Sequence, residues 1–177
     1  MMTIGHSTLA IDSFLRALTE NGVKTLVDVR RYPGSRRNPQ YSQPALFASL
    51  ERAGIRGVWR EGLGGRRRAL KDSINTAWRN DSFRGYADYM QTESFAREID
   101  WLTTLPEFDH VVVMCAEALP WRCHRSLIAD AVMARGFSVE DIFVEADGAS
   151  KRKPHWLPEF AQVRERRVIY PKQPVLF

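Results

Sequence analysis

The only two cysteines of the chain, Cys115 and Cys123, share one short stretch, "MCAEALPWRCHR" (114–125), with Glu117, Arg122, His124 and Arg125. The run before it, "HVVVM", reads as a buried strand, and "CHRSLIADAVMARG" (123–136) reads as a helix. Exposed N–H groups and the dipole at a helix start favour an anion, a thiolate included, and neighbouring cations lower a thiol pKa further. The seven residues between the cysteines are enough for the chain to fold back and bring the thiols together. That pattern suits a nucleophilic thiol with a resolving partner, and His124 or His6 as the acid–base group. Three other readings compete. Free cysteine is often a small buried hydrophobe. Cys115, Cys123, His124 and His6 could form a zinc set, although the tight Cys-x₂-Cys spacing is absent and adjacent residues on a helix project at different angles. A phosphatase-like loop would need a Cys-x₅-Arg spacing; "CAEALPWR" is one residue longer and carries Glu117 and Pro120 inside the cradle.

A second stretch, "DVRRYPGSRR" (28–37), ends another strand-like run. Asp28 and Arg30 have one side chain between them, so they face the same way. The Pro-Gly turn that follows presents Ser35, Arg36 and Arg37, and "GGRRR" adds Gly64 and Gly65, where a ligand can approach the backbone closely. "IGHS" places His6 and Ser7 after the first strand. Arginine is suited to phosphate and carboxylate through its planar fork. Tyr32, Tyr41, Trp59 and Trp121 lie beside these loops, and bases stack on aromatics where arginine holds phosphates; Trp59 is expected in the core.

These residues need elements to position them. Strand-like runs at 2–6, 24–30, 55–61, 109–117 and 139–146 alternate with helix-like runs at 11–22, 43–54, 82–105 (two helices) and 123–136. Asp12 or Ser13 is the expected N-cap of the first helix, and Gly22 and Gly136 are expected stops. The alternation predicts an α/β fold, a mostly parallel central sheet with helices on both faces in three layers. Ligands in such sheets bind at the carboxyl ends of the strands, and His6, Ser7, Asp28, Arg30, Cys115 and Glu117 all fall at that edge. One domain over 1–177 is expected, with a basic, proline-containing tail from about 147, read as partly loop and packed on it.

Composition narrows the class. The chain of 177 residues is 44% hydrophobic and 27% charged, with a formal net charge of +5, and its pI is near 9.5. The excess cation is mostly arginine in clusters, which points to an anionic small molecule or a nucleic acid as partner. No apolar run is long enough to span a bilayer and no signal-peptide pattern opens the chain, so a cytoplasmic location without membrane partners is expected. Two cysteines are too few for a disulfide scaffold. No cofactor is expected, with zinc as the alternative.

"IGHS", "DVRRYPGSRR", "LGG", "YADYMQT" and "MCAE…CHRSLIAD" together resemble a bacterial and archaeal family filed as domain of unknown function number 488. The resemblance covers almost the whole chain, and the order of its motifs is specific. It implies a cytosolic α/β domain in which Cys115, Glu117, Cys123, His124 and Arg125 form a signature turn, and His6, Ser7, Asp28, Arg30, Pro33 and Ser35 belong to two further signature segments. It implies no reaction. From the residues themselves, the expected function is an anionic-ligand site at the carboxyl edge. The Cys115/Cys123 pair would supply thiol-dependent chemistry on a phosphorylated or nucleotide-like substrate, with Asp28 as orienting group and Arg30, Arg36, Arg37, Arg122 and Arg125 as anion holders. The alternatives are a nucleic-acid-binding module with structural cysteines and a zinc-binding interaction domain.

Overall fold

The computed structural model describes residues 1–34, 36–145 and 148–172. Ser35 and Asp147, and the last residues of the tail, lie outside the described residues. Five strands run parallel: β1 (Met2–Gly5), β2 (Thr25–Asp28), β3 (Arg56–Trp59), β4 (Val111–Cys115) and β5 (Glu140–Val144). A sixth, β6 (Ser150–Pro154), pairs antiparallel with β5, giving the order β3-β2-β4-β1-β5-β6. Helices α1 (Ile11–Glu20) and α2 (Gln43–Arg52) cover one face. The other face carries α3 (Asp81–Tyr89), α4 (Glu93–Thr103) and α5 (Arg125–Met133). A hairpin of β7 (Gln162–Arg164) and β8 (Arg167–Ile169) adds Val168 and the following Tyr170 to that second core. The expected three-layer α/β architecture with a mostly parallel sheet is what the chain forms.

Side-chain parity in the central strands divides the core in two. Along β4, Val111, Val113 and Cys115 point to the α3–α5 face, whereas Val112 and Met114 point to α1 and α2. Along β2, Val27 lies on the first of these faces and Leu26 on the second. Both sides of β4 are buried along its whole length, which is why it reads as an unbroken apolar run rather than an alternation.

Four local expectations need correcting. Helix α1 is capped by Ala10 and begins at Ile11; Asp12 lies in its first turn, where a carboxylate meets the positive end of the dipole. Helix α5 begins at Arg125 with His124 as its cap, and Cys123 is extended (φ −133, ψ 142) after a short 3₁₀ turn over Pro120–Arg122. The basic tail is not loop at 150–154 but the edge strand β6, whose lysines and arginine keep the edge soluble. Trp59 is 37% exposed at the outer strand β3 and donates its indole N–H to the Arg30 carbonyl at 3.0 Å. No helix among the described residues is long and apolar enough to cross a membrane.

Candidate functional site

At the carboxyl edge, Gly5 stands opposite Cys115 and Asp28 opposite Met114. That register sends the expected site residues to opposite faces of the sheet.

On the α1/α2 face, Asp28 and Arg30 form a buried chelate. Arg30 Nε donates to Asp28 Oδ1 at 2.9 Å and Nη2 donates to Oδ2 at 2.6 Å. Arg30 Nη1 donates to the Tyr41 carbonyl at 2.8 Å and lies 3.3 Å from His6 Nε2. A guanidinium has only donors, so His6 Nε2 accepts, and its Nδ1–H donates to the Ser7 carbonyl at 2.8 Å. His6 is therefore neutral, and its pKa falls to about 4 because it is buried and because Arg30 faces it. Its ring stacks on Tyr41 at 3.9 Å. Ser7 takes a left-handed backbone (φ 46), a conformation that costs a non-glycine residue strain and gathers at functional sites. His6, Ser7, Arg30, Tyr32 and residues 116–118 line a polar cleft of about 310 Å³.

On the α3–α5 face, Cys115, Cys123 and His124 place their sulfur and nitrogen atoms within 4.8 Å of one another. The two thiols are free, at 8% and 5% exposure. The extended backbone at Cys123 is what makes this convergence possible. Side chains expected to diverge from a helix instead turn toward one point, with Cys123 Sγ 3.8 Å from His124 Nδ1. His124 Nε2 donates to the Val29 carbonyl at 3.1 Å, which fixes the ring and leaves Nδ1 to the sulfur. The Cys115 thiol donates to Cys123. This hydrogen bond, helped by His124, holds the Cys123 thiol well below its ordinary range against the opposing effect of burial. The same hydrogen bond, together with burial, pushes Cys115 well up. Two cysteines and one imidazole are also the donor set of a three-ligand zinc site. His6, the fourth member of the expected set, is held on the opposite face of the sheet.

The loop 116–119 joins the two faces. Arg125 is almost wholly buried and donates to the carbonyls of Glu117 and Ala118, the latter at 2.7 Å, and to Thr3 Oγ1 at 3.3 Å. Its guanidinium clamps the loop rather than facing solvent. A Cβ at Gly5 would lie 1.9 Å from the Glu117 carbonyl oxygen, so only glycine lets the loop cross there. Gly65 lies against His124, where a Cβ would meet Nδ1 at 3.0 Å, and Gly64 lies against Arg31. Glu117, Arg36, Arg37 and Arg122 are exposed. Arg66 sits over the Tyr32 ring at 5.4 Å.

A third constellation was not picked out from the sequence. His155 bridges Asp141 Oδ2 (2.8 Å) and Asp130 Oδ1 (2.9 Å); Thr3 donates to Asp141 and Tyr170 donates to Asp130 at 2.6 Å. Burial opposes the charge on His155, but the two carboxylates outweigh it and raise its pKa to about 9. One signal was available: Asp130 interrupts the apolar run "LIADAVM", and a carboxylate on a buried helix face requires a partner.

Fold and site together define an α/β protein with a buried thiol–imidazole cluster on one face of the sheet's carboxyl edge and a polar cleft on the other. The family model described as "Domain of unknown function DUF488" matches residues 10–132. The chain belongs to that family. No curated protein and no solved structure matches it.

Proposed function

We propose that the chain performs thiol-dependent chemistry on an anionic substrate, with Cys123 as nucleophile. The observation that supports this most is the convergence of Cys115, Cys123 and His124 within 4.8 Å. Cys123 attacks an electrophilic centre of the substrate; a bond forms to sulfur, and the leaving group departs with the electron pair of the bond that breaks. Cys115 keeps its proton and is placed to protonate that leaving group. Where the electrophilic centre is a sulfur of a disulfide or persulfide substrate, Cys115 then attacks Cys123 Sγ, the Cys115–Cys123 bond forms, and the substrate sulfur leaves as a thiolate, so that the substrate is reduced and the cysteine pair oxidised. The cleft, which lies across the 116–118 loop from the thiols and is not lined by them, holds the anionic part of the substrate; its lining residues Gly34 and Asn38 flank Arg36 and Arg37, and Arg66 lies over the lining Tyr32.

The test is site-resolved alkylation of the reduced protein across pH, read by mass spectrometry, with Cys115→Ser as the partner variant. Cys123 should react with an apparent pKa below the ~8.5 of a free thiol, and Cys115→Ser, whose hydroxyl is a poorer match to the sulfur, should raise it. Two thiols inert until unfolding would refute the reading. Stoichiometric zinc that chelation removes together with the fold would replace it with a structural metal.

A second reading has its own observation in the exposed Tyr32 under Arg66, near Arg36 and Arg37: a nucleic-acid surface at the rim. It requires an affinity that falls steeply with salt and is indifferent to Cys123→Ser.

A further inference from the structure

Beyond the thiols and the carboxyl-edge cleft, the α3–α5 face carries a cavity of about 350 Å³ roofed by aromatic rings. Trp78, Trp121, Phe143 and Trp156 line it. Trp121 and Trp156 are 60% and 78% exposed. Large apolar side chains on a soluble protein are normally covered, and two tryptophans flanking one opening mark a binding surface.

The polar groups around the cavity indicate its ligand. The carboxylates of Asp130 and Asp141 lie at its base, but each oxygen already has a partner in His155, Tyr170 or Thr3. His155 and Lys153 between them balance the two carboxylates, so the base offers no free anion to attract a cation. Lys153 lines the cavity and places its ammonium 5.4 Å from the Phe143 ring centroid, so the cation position over that ring is taken by the protein itself. Lys151, two residues before Lys153 and so on the same face of the edge strand β6, extends the positive charge, whereas Arg152 points to the other face and pairs with Glu140 at 3.2 Å. A ligand that satisfies all of this is flat, apolar on its faces, and has an anionic group beside it.

We infer that this cavity binds the base of a nucleotide, free or within a single strand. The ring stacks on the exposed tryptophans, and the phosphate lies toward Lys153 and Lys151. Stacking of a base on an aromatic side chain is sequence-tolerant and strong enough to anchor a strand. This site is separate from the thiol cluster and does not depend on the proposed thiol chemistry.

The experiment is calorimetric titration of the full chain with adenosine monophosphate, with a single-stranded oligoadenylate and with ribose 5-phosphate. The wild type, Trp156→Ala, Trp121→Ala and Cys123→Ser are compared, and each fold is checked by circular dichroism. Adenosine monophosphate or the oligonucleotide should bind, ribose 5-phosphate at least about tenfold more weakly, and each tryptophan variant should lose about tenfold, the scale of one stacked base. Cys123→Ser should bind as the wild type does. An oligonucleotide much tighter than the mononucleotide identifies a strand as the source; equal affinities identify the free nucleotide. Binding of ribose 5-phosphate as tight as that of the nucleotide, affinities unmoved in folded Trp156→Ala and Trp121→Ala, or no binding of either base-bearing probe at millimolar concentration would overturn the assignment.

Discussion

His155 provides the most quantitative test of the fold's electrostatics. It is buried between Asp130 and Asp141 and its pKa is raised from 6.5 to about 9. A group whose folded pKa exceeds its unfolded one stabilises the native state fully below the unfolded value, and that stabilisation is lost as pH rises through the folded value. The window is therefore pH 6.5 to 9, and the span corresponds to about 3 kcal/mol at 1.36 kcal/mol per pKa unit. The perturbation is His155→Gln, which can still hydrogen-bond but cannot carry the charge. Urea unfolding of wild type and variant between pH 6 and 9.5 isolates the contribution, because other titrating groups act on both proteins. The stability gap should be largest at pH 6 and about 3 kcal/mol smaller at pH 9.5. Parallel stability curves across that range would show that His155 does not carry the charge, and the reasoning would fail.

The remaining tests address other parts of the edge. Asp28→Asn leaves the buried Arg30 cation with a neutral partner; it should destabilise by about 3–5 kcal/mol by denaturant titration, and a loss under 1 kcal/mol would contradict the buried chelate. Gly5→Ala places a methyl on the Glu117 carbonyl; it should cost at least the ~1–3 kcal/mol of an overpacked core, seen as a lowered thermal midpoint, whereas Gly34→Ala, with open space around it, should change little. His6, held neutral with a pKa near 4, makes the unfolded state bind more protons between pH 4 and 6.5, so stability should rise with pH there; histidine ring NMR should show His6 uncharged at pH 5.

Much of this architecture follows from local pattern. The five parallel strands are short β-branched or apolar runs, and their ends deliver His6, Asp28 and Cys115 to one edge because the fold class dictates it. Division of the edge between two faces is different, since it depends on Asp28 standing opposite Met114 and not opposite Cys115, and register between distant strands has no local signature. Convergence of Cys123 with His124 was equally hidden. A helix reading extended from 125 back to 123 sends the two side chains apart, while the 3₁₀ turn over Pro120–Arg122 ends in one extended residue that brings them together. Strand β6 was obscured by its own protection: an edge strand made of Ser-Lys-Arg-Lys-Pro reads as loop because every device that keeps an edge soluble lowers its β signal. The His155 network is built from single residues of β1, α5, β5, the position just after β6 and the segment after β8, and no spacing in the sequence connects them.

The division of the edge also determines where an anion can be held. Arg30 is the arginine most firmly fixed in the cleft, yet its charge is already matched by Asp28 at 2.6 Å. His6 beside it stays neutral, so the floor of the cleft offers shape and hydrogen bonds with little net charge. Positive potential must then come from the exposed rim, from Arg36, Arg37 and Arg66, where a charge pair is weak and screened by salt. Substitution of the floor and of the rim should consequently separate. Changes at Asp28 or Arg30 should appear in stability, whereas Arg36→Ala, Arg37→Ala and Arg66→Ala should leave the thermal midpoint within about a degree or two of wild type while lowering affinity for an anionic ligand and flattening its salt dependence. Rim variants that fold and bind the anion with unchanged salt dependence would place it on the Arg30 floor instead.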